Sequence, residues 1–316
     1  MKNLSRRAAA TFSATLVDEW ARAGVRHAIV CPGSRSTPLA LALAASEHIE
    51  VHVSLDERSG AFVTLGIGIE SAMPAVLLTT SGTAAVEAHA AVVEAHQALV
   101  PLLVCTADRP PELHHVGAPQ TIEQGPLYQG VTRWSVDPGV PDETSASTWR
   151  SLGARAVAEC MAGPRGPGPV HLNLPFRDPL LGEPGDLPPP RSGAAPWHAV
   201  ADRRAALSSE AERLLASVLS KSLALPFSRG LLVAGAGCGD PGLVHAAARA
   251  LGWPVLADPR SNCRHLESRD RAVVIATADS LLRSVEFAAG HQPDVIVRLG
   301  APPASKLVTE LLAGEE

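Results

Sequence analysis

Residues 27–38, HAIVCPGSRSTP, decide the fold class because they hold a strand, a turn and the start of a helix in immediate succession. His27–Cys31 is a short apolar run bounded by turn residues, which is typical of a buried strand. The next five residues, PGSRS, predict a turn. Thr37-Pro38 then predicts a helix start, with a capping hydroxyl and proline at the first helical position. A strand that leads directly into a helix is the repeating unit of an α/β protein.

The same alternation extends to both sides of this stretch. Phe12, Leu16 and Trp20 lie four residues apart and predict one buried face of a preceding helix. Apolar and polar residues alternate over 49–55, which indicates a strand near a sheet edge. Strands that alternate with helices predict a doubly wound parallel sheet. Further strands are predicted at 75–79, 100–106 and 169–174, and further helices after 56–60, after 81–83 and around 149–161.

A proline- and glycine-rich segment divides the chain. Residues 177–197, RDPLLGEPGDLPPPRSGAAPW, cannot sustain a helix or an inner strand. We therefore predict a first domain at 1–178, a linker at 179–197 and a second domain at 198–316. The second domain is expected to be an incomplete Rossmann-like fold that ends at the last residue. Its strands are predicted at 230–234, 254–258 and 295–299.

Composition excludes several classes of protein. The 316 residues contain 27 Lys and Arg against 32 Asp and Glu, a formal net charge of −5. Nucleic-acid and anionic-membrane proteins need a basic face, so the charge argues against both. No apolar run approaches the length of a membrane span. Five cysteines without any C-x-x-C spacing predict reduced thiols in a cytoplasmic protein, with neither a zinc site nor a disulfide framework.

Polar segments directly follow several predicted parallel strands. In an open α/β sheet the carboxyl ends of the strands share one edge, where ligands bind, so we expect these segments to converge. Arg35 and Arg109 are suited to holding carboxylates by bidentate pairing. Glu57 offers a carboxylate at the same edge. The segments are Ser34–Ser36, Asp56–Arg58, Ser81–Thr83 and Asp108–Arg109.

Each of these segments also has a purely structural interpretation. A carboxylate such as Glu57 at a helix start is a favourable partner of the helix dipole. The two arginines could form ordinary surface ion pairs, and Ser81–Thr83 could be only an N-cap turn. His89 and His96, each two residues after a glutamate, lie two helical turns apart, too far for one metal ion.

Six segments of the first domain follow one another along the chain: CPGSRSTPLALAL (31–43), DERSGAFVTLGI (56–67), TTSGTAAVE (79–87), ADRPPEL (107–113), GAPQTIEQ (117–124) and GPVHLNLPFRDPL (168–180). Together they resemble the thiamine-diphosphate-dependent synthases of menaquinone biosynthesis, which make 2-succinyl-5-enolpyruvyl-6-hydroxy-3-cyclohexene-1-carboxylate. The resemblance is dense over residues 1–182. It is looser in the second domain, through GLLVAGAG, WPVLADP and DVIVRLGAPPASK.

The resemblance implies a function for this sheet edge. The first domain would bind the pyrimidine of thiamine diphosphate, with Glu57 as the catalytic carboxylate at the N1′ atom and with Thr83 and Pro32 as further cofactor-binding residues. The implied reaction is decarboxylation of 2-oxoglutarate followed by conjugate addition to isochorismate. Both substrates are anionic, which suits two arginines. The positions matched to substrate binding are Ser34, Arg35, Arg109 and Gln120.

Two departures from the family pattern change what is expected. Pro119 stands where the family usually has asparagine, and proline removes a backbone donor and an amide side chain. The family's third domain, whose G-D-G…N segment holds Mg²⁺ and through it the diphosphate, has no counterpart in the sequence. We therefore expect no metal ligands in this chain, and we expect an N-terminal portion with weak or no turnover alone. The complete enzyme is expected to be a homo-oligomer.

Two alternatives remain open at this point. The chain could be a non-catalytic truncated or split-subunit module, completed by a separate chain that carries the diphosphate domain. It could also be another thiamine-dependent 2-oxoacid decarboxylase or synthase. Ser34-Arg35 and the segment 108–112 speak against that second alternative, because they supply the arginines that a dianionic acceptor needs.

Overall fold

The chain divides into two compact units, Met1–Arg204 and Ala205–Glu316. The computed structural model describes residues 2–191, 193–200, 208–223, 229–265 and 273–314. No helix in those ranges combines the length and the apolar composition that crossing a membrane requires.

Within its described residues, the first unit contains a six-stranded parallel sheet in the order β2-β1-β3-β4-β6-β5. This arrangement is the doubly wound α/β fold that the alternation of strands and helices predicts. The strands are β1 (His27–Val30), β2 (Glu50–Val53), β3 (Ala75–Thr79), β4 (Leu102–Asp108), β5 (Trp134–Val136) and β6 (Pro169–Pro175). The helices are α1 (Lys2–Arg22), α2 (Thr37–Ala44), α3 (Glu57–Ser71), α4 (Thr83–Glu87), α5 (His89–Ala98) and α6 (Ala146–Ala162).

Helices cover both faces of this sheet. Helices α1, α2 and α6 pack on one face, and the predicted apolar positions of α1 are all buried there. Helices α3 and α5 pack on the other face, against Ile29 of β1 and Leu77 of β3. Because successive strand residues point to opposite faces, each buried strand contributes side chains to the hydrophobic cores on both faces of the sheet. The buried positions of α1 are Phe12, Leu16 and Trp20.

Details at the ends of elements differ from the expectations. The strand predicted over 49–55 is the edge strand β2, as expected, but its apolar residues Val53 and Leu55 are 67% and 89% exposed. Ser36, rather than Thr37, occupies the N-cap of α2. The Thr37 hydroxyl instead donates to the Ser34 carbonyl at 2.7 Å, so its predicted capping role is wrong.

The segment predicted as a linker lies against the first unit. The backbone N–H of Gly185 donates to the Thr11 hydroxyl of α1 at 2.8 Å. Arg150 of α6 donates to the Pro188 carbonyl at 2.6 Å. Residues 179–191 therefore follow the surface of the α1–α6 layer instead of crossing open solvent.

The order of the strands reverses at β1. Strand β2 pairs with one side of β1 and strand β3 with the other. The carboxyl ends of β1 and β3 consequently flank a switch point, where open α/β sheets bind ligands. Gly33, after β1, packs so closely on Thr80, after β3, that a Cβ at Gly33 would lie 2.3 Å from the Thr80 Cβ. Glycine at this position lets the two loops lie side by side.

The described part of the second unit contains a four-stranded parallel sheet in the order β10-β7-β8-β9. A Cβ on Gly235 would lie 1.9 Å from the Ala301 carbonyl oxygen, so this glycine lets the loops after two neighbouring strands touch. The strands are β7 (Gly230–Ala234), β8 (Val255–Ala257), β9 (Val274–Ile275) and β10 (Val295–Leu299). The helices are α7 (Ser209–Leu223), α8 (Pro241–Leu251), α9 (Ala278–Leu282), α10 (Val285–Gly290) and α11 (Lys306–Ala313).

Candidate functional site

Arg35 lies in the turn after β1 and is only 8% exposed. Its Nη1 donates to the Phe176 carbonyl at 2.8 Å and to Oδ2 of Asp178 at 3.0 Å. Its Nε is also buried and has no hydrogen-bond partner among the residues that the structure describes. A buried N–H without an acceptor costs free energy. This donor is therefore one that an anionic group at the sheet edge would satisfy.

Arg109 follows β4 and reaches the same place. Its Nη1 donates to the hydroxyl of Ser81, which follows β3. Burial lowers the pKa of Arg109, and the positive charge of Arg35 lowers it further, while the negative charges of Asp108 and Asp178 act in the opposite direction. Two cations that repel each other favour an anion between them. The structure thus brings together Arg35, Ser81 and Arg109, which three different strands position.

Gln120 is held against the turn after β3. Its Nε2 donates to the Ser81 carbonyl at 2.9 Å. A Cβ on Gly82 would lie 2.7 Å from the Gln120 Cγ, so only glycine fits beneath the glutamine. Gln120 itself has a φ of +58°, in the left-handed region that residues other than glycine rarely adopt. The surrounding contacts hold this backbone in place, as is common at ligand sites.

The side chains of Pro32, Ser34 and Thr83 lie at the same sheet edge but are exposed. Pro32 and Ser34 belong to the turn after β1. Thr83 is the first residue of α4, whose N-cap is Gly82. Among the described residues none of the three side chains forms a hydrogen bond with the arginines.

Glu57 begins α3 and lies over the end of β1. Burial raises the pKa of Cys31 to about 12, and the negative charge of Glu57 adds to that rise. One turn along α3, a Cβ on Gly60 would lie 3.0 Å from the Cys31 Sγ, so the start of the helix packs directly on the strand end. In the described part of the chain no hydrogen bond or ion pair joins Glu57 to Arg35, Arg109 or any other residue. Glu57 therefore places a half-buried carboxylate, without a partner among the described residues, at the same edge of the sheet as the two arginines.

Sequence reasoning missed the residue that connects the strand ends. Gln124 is 1% exposed, and its Oε1 accepts a hydrogen bond from the Gly82 N–H at 2.7 Å. Its Nε2 donates to the Ala107 carbonyl at 3.2 Å and to Oδ1 of Asn173 at 3.0 Å. One amide thereby links the ends of β3, β4 and β6. A single glutamine in a loop carries no periodic signal that could have revealed this role.

Asn173 of β6 extends the same network. Its Nδ2 donates to Asp108 and to Asp137, each at 2.8 Å. Burial raises the pKa of Asp108, whose carboxylate also accepts the backbone N–H of Arg109 at 2.7 Å. Buried polar groups need such partners. The network fixes the start of the loop that carries Arg109.

His171 lies in β6 below this network and is fully buried. Its ring contacts the hydroxyls of Thr106 at 2.8 Å and Ser135 at 3.1 Å, and the Tyr128 ring packs edge-on at 4.7 Å. Burial lowers the pKa of His171 to about 3. The imidazole is therefore neutral at pH 7 and supports the sheet rather than exchanging protons.

Residues 10–127 match a protein family described as "Thiamine pyrophosphate enzyme, N-terminal TPP binding domain". The match spans β1 to β4 and includes Glu57, Ser81 and Arg109. In sequence, this part of the first unit is thus similar to the N-terminal domain of the thiamine pyrophosphate enzyme class.

Comparison with individual proteins points to one kind of enzyme within this class. The chain is 43% identical over 294 residues to a 2-succinyl-5-enolpyruvyl-6-hydroxy-3-cyclohexene-1-carboxylate synthase of Thermobifida fusca, covering 92% of this chain and 50% of the relative. Synthases with the same name from Geobacillus kaustophilus and Halobacterium salinarum are 41% and 40% identical, each over 95% of this chain. The chain spans about half the length of the curated relatives it matches, and it is homologous to an N-terminal portion of these synthases.

Proposed function

We propose that this chain is the N-terminal portion of a thiamine-diphosphate-dependent transferase, the synthase that joins the decarboxylated unit of 2-oxoglutarate to isochorismate in menaquinone biosynthesis. The observation that carries the proposal is the pair of guanidinium groups, Arg35 and Arg109, at the switch point of the first sheet. The identity of 40–43% to synthases of that name supports it.

The residues at this edge fit the pyrimidine end of the cofactor. Glu57 offers a half-buried carboxylate without a partner among the described residues, at the start of a helix packed on β1. When bound, thiamine diphosphate supplies the carbanion chemistry by which a 2-oxoacid loses carbon dioxide and adds to an acceptor. Glu57 would hold the proton at N1′ of the aminopyrimidine ring. We expect the ligands of Mg²⁺ and of the diphosphate to come from the part of the enzyme that this chain does not span.

The arginines account for substrates with several carboxylates. The Nε of Arg35 is a buried donor without an acceptor among the described residues, and the repulsion between Arg35 and Arg109 falls when an anion lies between them. Gln120, fixed on the Ser81 carbonyl, places a further polar side chain beside them. Exposed Ser34 would reach a substrate hydroxyl from the turn after β1. These residues bind and orient the anions while Glu57 acts on the cofactor.

Exposed apolar side chains near Glu57 support an oligomeric enzyme. Val53 and Leu55, which precede α3, are largely exposed, and Phe62 and Val63 of α3 are 45% and 53% exposed. Several exposed apolar side chains on neighbouring segments of the chain are typical of a protein interface. We propose that the complete enzyme is a homo-oligomer in which this surface is covered.

The thiols fit a reducing compartment. All five cysteines lie in described parts of the chain as free thiols. In extracellular proteins cysteines are generally oxidised to disulfides, whereas the cytosol keeps them reduced. We accordingly propose a cytoplasmic enzyme.

A complementation assay tests the proposal. The chain is mixed with a separately produced remainder of the Thermobifida fusca synthase, and both substrates, thiamine diphosphate and Mg²⁺ are added. We expect carbon dioxide release and product formation only when both pieces are present, and not with a Glu57→Gln chain. The intact Thermobifida fusca enzyme is the positive control. If the two pieces elute as a complex but the wild-type chain gives no more product than Glu57→Gln, the proposal is wrong.

A further inference from the structure

We infer that His27, Glu50 and His52 form a binding site for Zn²⁺ or a similar divalent transition-metal ion. The site lies on β2, the strand at one side of the first sheet, and on its neighbour β1. His27 Nδ1 lies 3.7 Å from Oε2 of Glu50, and His52 Nε2 lies 3.7 Å from Oε1 of the same carboxylate. One ligand atom from each residue lies within 4.8 Å of the other two. Two imidazoles and a carboxylate are a donor set that Zn²⁺ commonly takes.

The strand register produces this arrangement. His27, the first residue of β1, pairs directly with Glu50, the first residue of β2. Glu50 and His52 are two residues apart on one strand, so their side chains leave the same face of the sheet. The hydrogen-bonded ladder fixes all three Cα positions before any ion binds. Because the side chains of Glu50 and His52 are 66% and 44% exposed, a cation reaches the cluster from solvent.

The distances fit a shared ion better than direct hydrogen bonds. A separation of 3.7 Å is longer than a hydrogen bond, which spans about 2.7–3.2 Å. Ligand atoms at about 2.0–2.1 Å from one tetrahedral zinc ion lie about 3.3 Å from each other. The two rings are nearly parallel, with centroids 5.8 Å apart. His27 Nδ1 is moreover buried without a hydrogen-bond partner in the described part of the chain.

The cluster is separate from the candidate active site. His27 and Glu50 lie at the amino ends of their strands, whereas Arg35 and Glu57 follow the carboxyl ends. With three protein ligands and water as the fourth, the ion would link the edge strand to its neighbour. Mg²⁺ prefers oxygen ligands, so this site is not a substitute for the metal site of the synthases.

Zinc binding by the tag-free chain, measured by isothermal titration calorimetry and repeated with Co²⁺ spectroscopy, tests the inference. We expect one saturable site, and at least tenfold weaker binding in His52→Ala and in Glu50→Gln. His48→Ala, an exposed histidine outside the cluster, is the matched control and should bind as the wild type does. Zinc should also raise the melting temperature of the wild type but not of His52→Ala.

The same experiment distinguishes the histidine–glutamate site from a second candidate zinc site, which consists of two thiols. Cys238 and Cys263 of the second unit place their sulfur atoms 3.7 Å apart and could also take zinc. A Cys238→Ser chain should keep the zinc affinity of the wild type. The inference is overturned if the wild type shows no saturable site, if both His52→Ala and Glu50→Gln bind like the wild type, or if Cys238→Ser alone loses the site.

Discussion

The side-chain oxygen of Gln124 accepts a hydrogen bond of 2.7 Å from the backbone N–H of Gly82, at the turn that begins α4. Through this contact a buried loop residue holds the turn that presents Ser81 to Arg109. The chemistry expected at this sheet edge depends on such support, because catalytic and binding groups act only when their geometry is held.

Replacing Gln124 with leucine should destabilise the first unit by about 2–4 kcal/mol, because it leaves the buried Gly82 N–H without its acceptor and removes the hydrogen bonds to Ala107 and Asn173. Urea unfolding followed by far-UV circular dichroism measures the change. Gln129→Leu alters an exposed glutamine five residues away and should change the free energy of unfolding by less than about 0.5 kcal/mol. Equal effects of the two substitutions would contradict the role given to Gln124.

Two glycines of α3 should respond to alanine in opposite ways. A Cβ on Gly66 has no neighbour within 4 Å, so Gly66→Ala should stabilise the unit by about 0.5–1 kcal/mol through helix propensity. A Cβ on Gly68 would lie 2.7 Å from the Pro101 carbonyl oxygen, so Gly68→Ala should destabilise it. Melting temperatures of both variants provide the check. A Gly68→Ala variant as stable as the wild type or more so would show that α3 does not pack against Pro101 as described.

The first unit should lose stability in mild acid through His171. Its pKa in the folded chain is about 3, against an ordinary value of 6.5, so the unfolded chain takes up the proton first. The stability that depends on the neutral ring is complete above pH 6.5 and falls as the pH drops from 6.5 towards 3, by about 1.4 kcal/mol per pH unit.

Urea unfolding at several pH values, compared between the wild type and His171→Gln, isolates this effect. Asp108, whose pKa burial raises, contributes in the opposite direction and is common to both chains. The advantage of the wild type should shrink as the pH falls. Parallel curves for the two chains would exclude His171 as the source.

Glu57→Gln should separate catalysis from folding. Because the carboxylate has no hydrogen bond or ion pair among the described residues, we expect the free energy of unfolding to change by less than about 0.5 kcal/mol. Turnover in the complemented enzyme should fall by about 10²-fold or more, since the amide cannot hold the N1′ proton. A fall in both stability and turnover would assign Glu57 a structural role instead.

Arg35→Ala should weaken substrate binding in the complemented enzyme, with KM for isochorismate raised about tenfold or more as a charge-assisted contact is lost. Arg177→Ala removes an exposed guanidinium that pairs with Glu112 and serves as the control. An unchanged KM in Arg35→Ala would count against isochorismate as the ligand of this arginine.

Regular elements with a strong local pattern were predictable from sequence. The strands at 75–79, 230–234 and 295–299 have the predicted bounds, because each is an apolar run ended by turn residues. Strands β5 and β9 were missed, since three and two residues are too few to show a period. The fourth strand begins two residues later than predicted, after Pro101, which lacks a backbone donor.

The sequence by itself determined the parallel α/β alternation and the edge of the sheet at which Arg35, Ser81 and Arg109 meet, because every parallel strand ends on that edge whatever its neighbours are. Only the tertiary structure decided which polar side chains touch. Gln124 joins Asn173, and His27 faces Glu50, through strand order and register, and these depend on contacts between residues far apart in the chain.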